Sequence, residues 1–282
     1  MAGTLYLCAT PIGNLEDITL RVLRLLKEAD VIAAEDTRHT LRLLNHFEIT
    51  TPMTSYHEHN KLTKGPILID RLKNGENIAL VSDAGMPGIS DPGADLVKLC
   101  YEEGIPVTVA PGASAAITAV VLSGMNTRRF AFEGFLPSDK KECREILQKL
   151  QTEHRTMVFY EAPHRLLDTL EALSEVFGKE RKVACIRELT KRFEEKRTDT
   201  LENHMVYWKE NPPKGEFVLV AEGLSLEEQK QQQQENWEKI SIDEHMALYT
   251  AQGMTQKDAM KKVAKERGVS KRDIYAYLHQ EK

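Results

Sequence analysis

Short apolar runs alternate with longer segments of helical period along the first 124 residues, and this alternation limits the folds open to the chain. The runs are apolar at successive positions, which is typical of strands covered on both faces. They lie at 4–9, 31–35, 78–82 and 107–110. Segments with apolar residues at three- and four-residue spacing lie between or after them, at 18–29, 40–47, 93–104 and 114–124. We therefore predict a mostly parallel β-sheet with helices on its faces.

A second α/β stretch follows the first. Its strand-like runs lie at 130–135, 156–162, 182–188 and 216–222, with helical patterns at 140–153 and 164–177. The composition changes at Gly223, and residues 224–240 are polar with four consecutive Gln, as in a solvated linker or polar helix. We predict an α/β fold of two tandem α/β domains, 1–124 and 125–223, followed by a polar linker over 224–240.

The last segment, 241–282, has the pattern of three short helices with Gly-Val-Ser between the last two, as in helix-turn-helix units. Thr255 and Ser270 each stand three residues before an Asp, which predicts two helix N-caps. Gly268 is placed where a helix needs a left-handed C-cap. We therefore predict a small helical module at the end of the chain.

The net charge of −5 excludes a uniformly basic nucleic-acid coat protein, but its distribution is uneven. Residues 253–282 hold eight Lys or Arg against four Asp or Glu, which leaves the remainder of the chain at −9. A basic terminal module is thus attached to an acidic body.

Cysteine spacing and hydropathy exclude several other classes. The four cysteines have no CxxC spacing, which argues against a zinc ribbon or a redox dithiol, and no H-x-x-H ligand set suggests a metal site. His57 and His59 have a spacing that metal ligands can have, but RNA contact or hydrogen bonding is the favoured interpretation. The first residues lack the basic and apolar regions of a secretory signal. No run of about 18 apolar residues indicates a membrane span. We expect a cytoplasmic protein without a membrane partner.

Three turns rich in glycine and small residues carry the strongest indication of a ligand. Residues 82–97 follow a buried-looking strand and hold three Gly, two Pro and the carboxylates Asp83 and Asp91. Two similar turns lie at 9–19 and 110–119, and the GxGxxG and GxxxxGK[ST] patterns are absent from the sequence. Ligands bind at the carboxyl ends of strands in open α/β sheets, so we expect these turns to converge on one crevice.

Several of these segments together resemble the tetrapyrrole methylase superfamily, the third structural class of S-adenosylmethionine-dependent methyltransferases. The resemblance rests on SDAGMPGISDPG, PGASAAITA, EGFLP, FYEAPHR and LYLCATPIGNLEDIT. AAEDTRHTLRLLNHF, SYHEHN and RELTKRFEE are similar to one branch, which methylates a ribose 2′-hydroxyl in bacterial small-subunit ribosomal RNA. The resemblance covers about residues 4–222 and, more weakly, the terminal helices.

The resemblance implies that S-adenosyl-L-methionine lies in a trough between two α/β domains. It implies 2′-O-methylation of a cytidine in the decoding region of 16S rRNA in the small ribosomal subunit, by a homodimer. The residues implied to contact the cofactor are Pro11, Gly13, Asn14, Leu15, Asp83, Ala84, Gly85, Pro87, Ser90, Gly112, Ala113, Ser114, Ala115, Phe135, Tyr160, Glu161 and Ala162.

Methyl transfer to a hydroxyl is helped by a group that accepts the proton. The candidates are Glu35, Asp36, Glu161 and His164, with His57 and Glu188 as further possibilities. Each has a structural interpretation as well: Glu161 with Arg165, and Glu35 with Arg38, have the spacing of helical ion pairs. The sequence does not choose among them, and positioning of the hydroxyl is an alternative to any single base.

RNA binding requires contacts to phosphates. The residues predicted to provide them are Arg38, Arg42, His57, Arg165, Lys191 and Arg192. Two other functions stay open at this point. One is methylation of a small tetrapyrrole or corrinoid, and the other is a DNA-binding regulator built on the terminal helix-turn-helix.

Overall fold

The computed structural model describes residues 1–225, 227–228, 237 and 239–280. Its contacts divide the chain into two compact units. One contains Met1–Gln148 and Thr156–Glu222, and the other contains Lys149–Arg155 and Gly223–Lys282. Most of the predicted linker over 224–240 lies outside the described residues. The boundary between residues 124 and 125 falls between the two sheets of the first unit and stays a prediction.

The first sheet has five strands, all paired in parallel, in the order β3-β2-β4-β1-β5. The strands are β1 (Leu5–Cys8), β2 (Val31–Ala34), β3 (Met53–Ser55), β4 (Ile78–Val81) and β5 (Val107–Ala110). Its helices are α1 (Leu20–Glu28), α2 (Thr37–His46), α3 (Lys61–Lys73), α4 (Gly93–Glu102) and α5 (Ala115–Ser123). The predicted parallel sheet is confirmed. Alternate residues of its strands enter apolar clusters on opposite faces, as the Leu80 and Val81 side chains do.

The second sheet also has five strands, in the order β6-β7-β10-β8-β9, and is mostly antiparallel. The strands are β6 (Phe130–Phe135), β7 (Thr156–Glu161), β8 (Lys182–Arg187), β9 (Glu195–Thr200) and β10 (Phe217–Ala221). Its helices are α6 (Lys140–Leu150), α7 (Leu166–Phe177) and α8 (Leu201–Glu210). Single 3₁₀ turns occupy Leu15–Asp17 and Pro163–Arg165.

Helix α5 follows the first sheet in the chain but packs on the second. Ala116, Ala119 and Val120 of α5 lie in one apolar cluster with Val158 and Val218 from the second sheet. Ile12, from the turn after β1, belongs to the same cluster. These contacts hold the two sheets in one unit and set the walls of the crevice described below.

In the C-terminal unit, the part that the structure describes includes the helices α9 (Ile242–Thr250), α10 (Gln256–Arg267) and α11 (Lys271–Gln280). The Thr255 hydroxyl accepts the backbone N–H of Asp258, and the Ser270 hydroxyl accepts that of Asp273, which confirms both predicted caps. Gly268 has φ +66°, so the predicted left-handed C-cap is also confirmed. Among the described residues no helix is both long and apolar enough to cross a membrane.

Candidate functional site

A cavity of about 420 Å³ lies where the carboxyl ends of β2 and β4 meet the second sheet. The first sheet contributes the residue after β2, Glu35, and the loop after β4. The other walls come from the start of α5, the end of β6, the start of β10, and the strands β7 and β8 with the loops that follow them. The lining residues are Ile12, Glu35, Ser82, Asp83, Ala84, Gly85, Met86, Ile89, Ser90, Asp91, Ser114, Ala115, Phe135, Tyr160, Glu161, Ala162, Pro163, Ile186, Glu188, Leu189, Lys191, Glu216, Phe217 and Val218.

The loop after β4 takes its shape from the carboxylate of Asp91. This carboxylate accepts backbone N–H groups from Gly88 at 2.9 Å, Gly93 at 2.7 Å and Ile89 at 3.3 Å. Three hydrogen bonds from one carboxylate fix a loop that has no sheet or helix ladder of its own. Asp91 therefore determines the wall that the glycine-rich segment presents to the cavity.

Backbone pairing joins this loop to the turn after β1. The N–H of Thr10 donates to the carbonyl of Gly85 at 2.9 Å, and the N–H of Gly85 donates back to Thr10 at 3.0 Å. The Thr10 hydroxyl donates to the carbonyl of Ser82. Two of the three predicted turns are thus held side by side.

Three carboxylates, Glu35, Asp83 and Asp91, lie together on the first-sheet side of the cavity. Burial raises the pKa of Glu35, and the negative charges of Asp83 and Asp91 raise it further. Burial also raises the pKa of Asp91, against the lowering effect of its backbone hydrogen bonds. A buried acid whose pKa is raised by neighbouring acids lowers the stability of the fold and is typical of a functional site.

Two aromatic rings form the opposite wall. The centroids of Phe135 and Tyr160 are 5.4 Å apart in an edge-to-face arrangement, and Phe135 is 55% exposed. The Tyr160 hydroxyl accepts the backbone N–H of Ala116 at 3.2 Å, which ties the second sheet to the start of α5. Together the walls suit a ligand that has a cationic centre for the acids and a flat or apolar portion for the rings.

Glu161 is buried, and both of its carboxylate oxygens are occupied. One oxygen accepts the hydroxyl of Thr169, and the other accepts the N–H of Ala162 at 2.8 Å. Arg165 lies 3.6 Å from the same carboxylate, and its guanidinium also donates to the carbonyls of Leu136 and Pro137. These contacts make Glu161 and Arg165 positioning residues of the cavity wall.

The loop after β8 brings Lys191 between two acids. Its ammonium group lies 3.0 Å from Glu188 and 3.2 Å from Glu216. Burial lowers the pKa of Lys191, but these hydrogen-bonded partners outweigh burial and leave the pKa raised. Lys191 is therefore a charged and already paired residue at the cavity wall.

A smaller cavity of about 250 Å³ adjoins the larger one, and Ser82 and Asp83 line both. Its walls come from the turn after β1 and from α2. The lining residues are Thr10, Pro11, Gly13, Leu15, His39, Thr40, Arg42, Leu43, Ser82 and Asp83.

Most of the predicted cofactor residues lie at one of these two cavities. Those that line the larger cavity are Asp83, Ala84, Gly85, Ser90, Ser114, Ala115, Phe135, Tyr160, Glu161 and Ala162. Pro11, Gly13 and Leu15 line the smaller cavity instead. Four predicted residues lie outside both linings: Asn14, Pro87, Gly112 and Ala113.

The predicted proton acceptors are placed differently from one another. Glu35 lines the larger cavity, whereas His164 is exposed on the turn before α7. Hydrogen bonds from Arg38 lower the pKa of Asp36 to about 2, so this carboxylate is a weak base. Glu35 is the carboxylate whose position and raised pKa best suit proton acceptance.

The residues predicted to contact RNA lie at different places in the structure and differ in their protein partners. Arg42 lines the smaller cavity, while Arg38 is 89% exposed and paired with Asp36. Arg192 is exposed, and its guanidinium lies over the Phe193 ring. His57 is half-buried beside Asn60 after β3. Arg165 and Lys191 have the internal partners described above.

Several lining residues lie outside the sets predicted from the sequence. Asp91 is a carboxylate of the glycine-rich loop, but its three hydrogen bonds depend on the loop conformation. Ile186, Phe217 and Val218 lie on strands, and an apolar strand residue gives no sign of which face meets a ligand.

Residues 4–204 match the family of tetrapyrrole (corrin/porphyrin) methylases. Among curated relatives, ribosomal RNA small subunit methyltransferase I of Halalkalibacterium halodurans is 53% identical, over 99% of this chain and 96% of its own. The protein of the same name from Bacillus subtilis is 48% identical, over 98% of this chain and 94% of its own. These matches include the C-terminal helices.

Solved structures with lower identity share the fold. Diphthine synthase matches with a TM-score of 0.59 and 17% identity, over 78% of this chain and 90% of that one. Uroporphyrin-III C-methyl transferase from Thermus thermophilus, complexed with S-adenosyl homocysteine, matches with a TM-score of 0.55 and 19% identity, over 77% of this chain and 97% of that one.

Proposed function

Because this chain belongs to the tetrapyrrole methylase family, we propose that it is an S-adenosyl-L-methionine-dependent methyltransferase that acts on ribosomal RNA. Its substrate is the ribose 2′-hydroxyl of a cytidine in the decoding region of 16S rRNA, within the small subunit. The observation that carries the proposal is the 53% identity, over 99% of the chain, to a ribosomal RNA small subunit methyltransferase I.

The larger cavity fits S-adenosyl-L-methionine in charge and shape. The cofactor carries a cationic sulfonium and an ammonium group, and the cavity offers Glu35, Asp83 and Asp91 as counter-charges. Its adenine needs an apolar wall, which Ile186, Leu189 and Val218 provide, among other residues. A structural relative from the same fold family was solved with S-adenosyl homocysteine.

When bound, the cofactor would supply an electrophilic methyl group to the hydroxyl oxygen and become S-adenosylhomocysteine. The hydroxyl loses its proton in this step. The chain's own residues hold the hydroxyl in line and accept that proton. Glu35 is the acceptor we propose, since burial and the charges of Asp83 and Asp91 raise its pKa toward the working pH. Asp83 is itself held by the backbone N–H of Asp36 at 2.9 Å.

Glu35→Gln should lower kcat/KM roughly a hundredfold and remove the acid limb of the kcat/KM profile. In the wild type, kcat/KM falls as the pH is lowered through the raised pKa of Glu35 in the free enzyme, which lies above its ordinary value of 4.5, because the protonated carboxyl accepts no proton. The measurement is kcat/KM against pH for both proteins. An acid limb that persists in the Gln variant would assign the titration to another group.

The same variant has an opposite effect on stability. A carboxyl whose pKa is raised by folding binds its proton more tightly in the folded state, so ionised Glu35 opposes folding at neutral pH. Glu35→Gln should therefore raise the melting temperature slightly. Loss of activity together with a lower melting temperature would point to damage of the fold.

The proposed RNA contacts come from local cations on an acidic body. Arg42 and Arg192 are exposed in the first unit, and they are the phosphate contacts we propose first. The proposed set also includes Arg38, His57, Arg165 and Lys191, but their protein partners leave them less free to reach a phosphate. Because ribosomal subunits are cytoplasmic, we propose a cytoplasmic location.

We also propose a homodimer that uses the outer face of α5. Ile117 is 51% exposed and Val121, one turn later, is 70% exposed, while the opposite face of the helix is buried on the second sheet. Val109 on the edge strand β5 is also exposed. An apolar patch of this kind is typical of an interaction site.

Val121→Asp should convert the dimer to a monomer, because a charge would be buried at the apolar contact. Val206→Asp on α8 is the matched control, since Val206 is also exposed. Light scattering coupled to gel filtration measures the mass of each protein. A wild type that elutes as a monomer, or a dimer that survives Val121→Asp, would contradict this interface.

The relatives favour RNA over the two other functions that the sequence leaves open. The discriminating experiment incubates the protein with labelled S-adenosylmethionine and small subunits that lack the modification, in parallel with a tetrapyrrole acceptor. We expect label in the ribosomal RNA. Label in the tetrapyrrole alone would support a small-molecule methylase, and DNA binding with no transfer would support a regulator.

A further inference from the structure

We infer that the smaller cavity receives the acceptor nucleotide, with a phosphate at its Arg42 rim and the ribose at the wall shared with the larger cavity. This inference rests on the proposed function and gives its substrate a place. The two cavities share Ser82 and Asp83. A ligand in one cavity therefore lies next to a ligand in the other at these two residues.

The two cavities differ in charge. The larger one is lined by the acids Glu35, Asp83 and Asp91, and its Lys191 is paired with acids. Among the described lining residues of the smaller cavity, the charged or titratable groups are Arg42, His39 and the shared Asp83. S-adenosylmethionine carries no phosphate, and its one anionic group is the methionine carboxylate. The exposed rim with Arg42 suits the phosphate of a nucleotide that enters from solvent.

Arg42 is available for such a contact. It is exposed on α2, and no ion pair joins it to an acid in the part of the chain that the structure describes. Arg38 on the same helix, in contrast, forms a short ion pair with Asp36. A guanidinium with free donors at a cavity rim is a ready phosphate contact.

The interior of the smaller cavity suits a nucleoside. Pro11, Leu15 and Leu43 give apolar surface, and Thr10 and Thr40 carry hydroxyls. Gly13 allows Lys191 to pack against this turn, since a Cβ at this position would overlap the Lys191 side chain. Enzymes that modify one nucleotide commonly take it out of the stack into a pocket of its own.

Backbone contacts fix the shared wall relative to the Arg42 rim. Asp36 donates its N–H to Asp83 and accepts the N–H of Arg38 at the start of α2. The same helix carries His39 and Arg42. The position of the phosphate contact relative to Asp83 is therefore determined by Asp36 and the first turns of α2. Asp36 is in this way a positioning residue.

Two variants test the assignment, one through the charge of the cavity rim and one through the volume of the cavity. Arg42→Glu reverses the rim charge, and Leu15→Trp fills the cavity without a change of charge. Arg144→Glu on α6 and Leu20→Trp on α1 are the matched controls, since both residues are exposed and lie outside the two linings. Each full-length protein is measured for the KM of small subunits that lack the modification and for calorimetric affinity to S-adenosylhomocysteine.

We expect Arg42→Glu to raise the KM at least about tenfold, the effect of one lost phosphate contact with added repulsion. Leu15→Trp should lower kcat/KM by a similar factor. Affinity for S-adenosylhomocysteine should stay within about twofold of the wild type in both, a result that would assign Leu15 to the nucleotide and not to the cofactor. Unchanged kinetics in both variants would overturn the inference, and a parallel loss of S-adenosylhomocysteine affinity would assign the smaller cavity to the cofactor.

A binding measurement separates this inference from the proposed function. Fluorescence anisotropy with a single-stranded, cytidine-containing RNA oligonucleotide follows binding without catalysis. If the wild type methylates no subunit, the proposed function fails. A tenfold loss of oligonucleotide affinity in Arg42→Glu, and not in Arg144→Glu, would still support the nucleotide pocket, and equal affinities would refute it.

Discussion

Asp91→Ala is expected to weaken binding of S-adenosylmethionine about a hundredfold, the equivalent of about 3 kcal/mol. Three backbone N–H groups, those of Gly88, Ile89 and Gly93, lose their acceptor in this variant. The loop they belong to forms one wall of the larger cavity, and without the carboxylate its conformation is no longer specified. Calorimetry with S-adenosylhomocysteine measures the loss directly.

Asp95→Ala provides the control for this variant. Asp95 is an exposed carboxylate four residues further on, and its contact is a surface ion pair with Lys61, which contributes little. Asp91→Asn keeps one acceptor oxygen, so its affinity for S-adenosylhomocysteine should lie between the affinities of the wild type and the Ala variant. If Asp91→Ala binds as tightly as Asp95→Ala, the loop is held by other contacts and the cofactor wall has been misplaced.

Glu161→Ala is expected to lower the stability of the first unit by about 3 kcal/mol. The change leaves the buried hydroxyl of Thr169 and the N–H of Ala162 without an acceptor, and it removes the acid beside Arg165. For a unit of this size the melting temperature should fall by roughly 6–12 °C. Thermal unfolding followed by circular dichroism is the measurement.

Glu171→Ala on α7 is the matched variant, since Glu171 is exposed on the same helix as Thr169. It should leave the melting temperature nearly unchanged. Thr169→Val, which removes the other partner of the short hydrogen bond, should destabilise the protein in the same direction as Glu161→Ala. Equal melting temperatures for the Glu161 and Glu171 variants would show that the buried carboxylate does not stabilise the wall.

The sequence predicted the main sheet strands because their side chains are apolar on both faces. Two strands are not predicted by this pattern. Strand β3 has the short, half-buried sequence Met-Thr-Ser, and strand β9 has the sequence Glu-Lys-Arg-Thr-Asp-Thr, which is typical of a charged loop. Edge strands need less apolar surface than central ones, and both of these lie at sheet edges. Helix α3 was also not predicted, since Gly65 and Pro66 interrupt its pattern.

The site was predictable where glycine-rich turns mark it, and less so where tertiary contacts define it. Asp83, Gly85 and Tyr160 follow from motifs, and all three line the larger cavity. Whether a cation is free to bind RNA depends on partners distant in sequence: Arg165 is held by the carbonyl of Leu136, and Lys191 by Glu216. Spacing along the chain does not reveal such partners.

The central claim is that the methyl group goes to a ribose oxygen of small-subunit RNA. Subunits that lack the modification are incubated with methyl-labelled S-adenosylmethionine, and their RNA is hydrolysed with alkali. A 2′-O-methyl group removes the hydroxyl that attacks the next phosphodiester, so we predict label in an alkali-resistant dinucleotide that yields 2′-O-methylcytidine. Label recovered in mononucleotides methylated on the base, or no label in the RNA, would contradict the account.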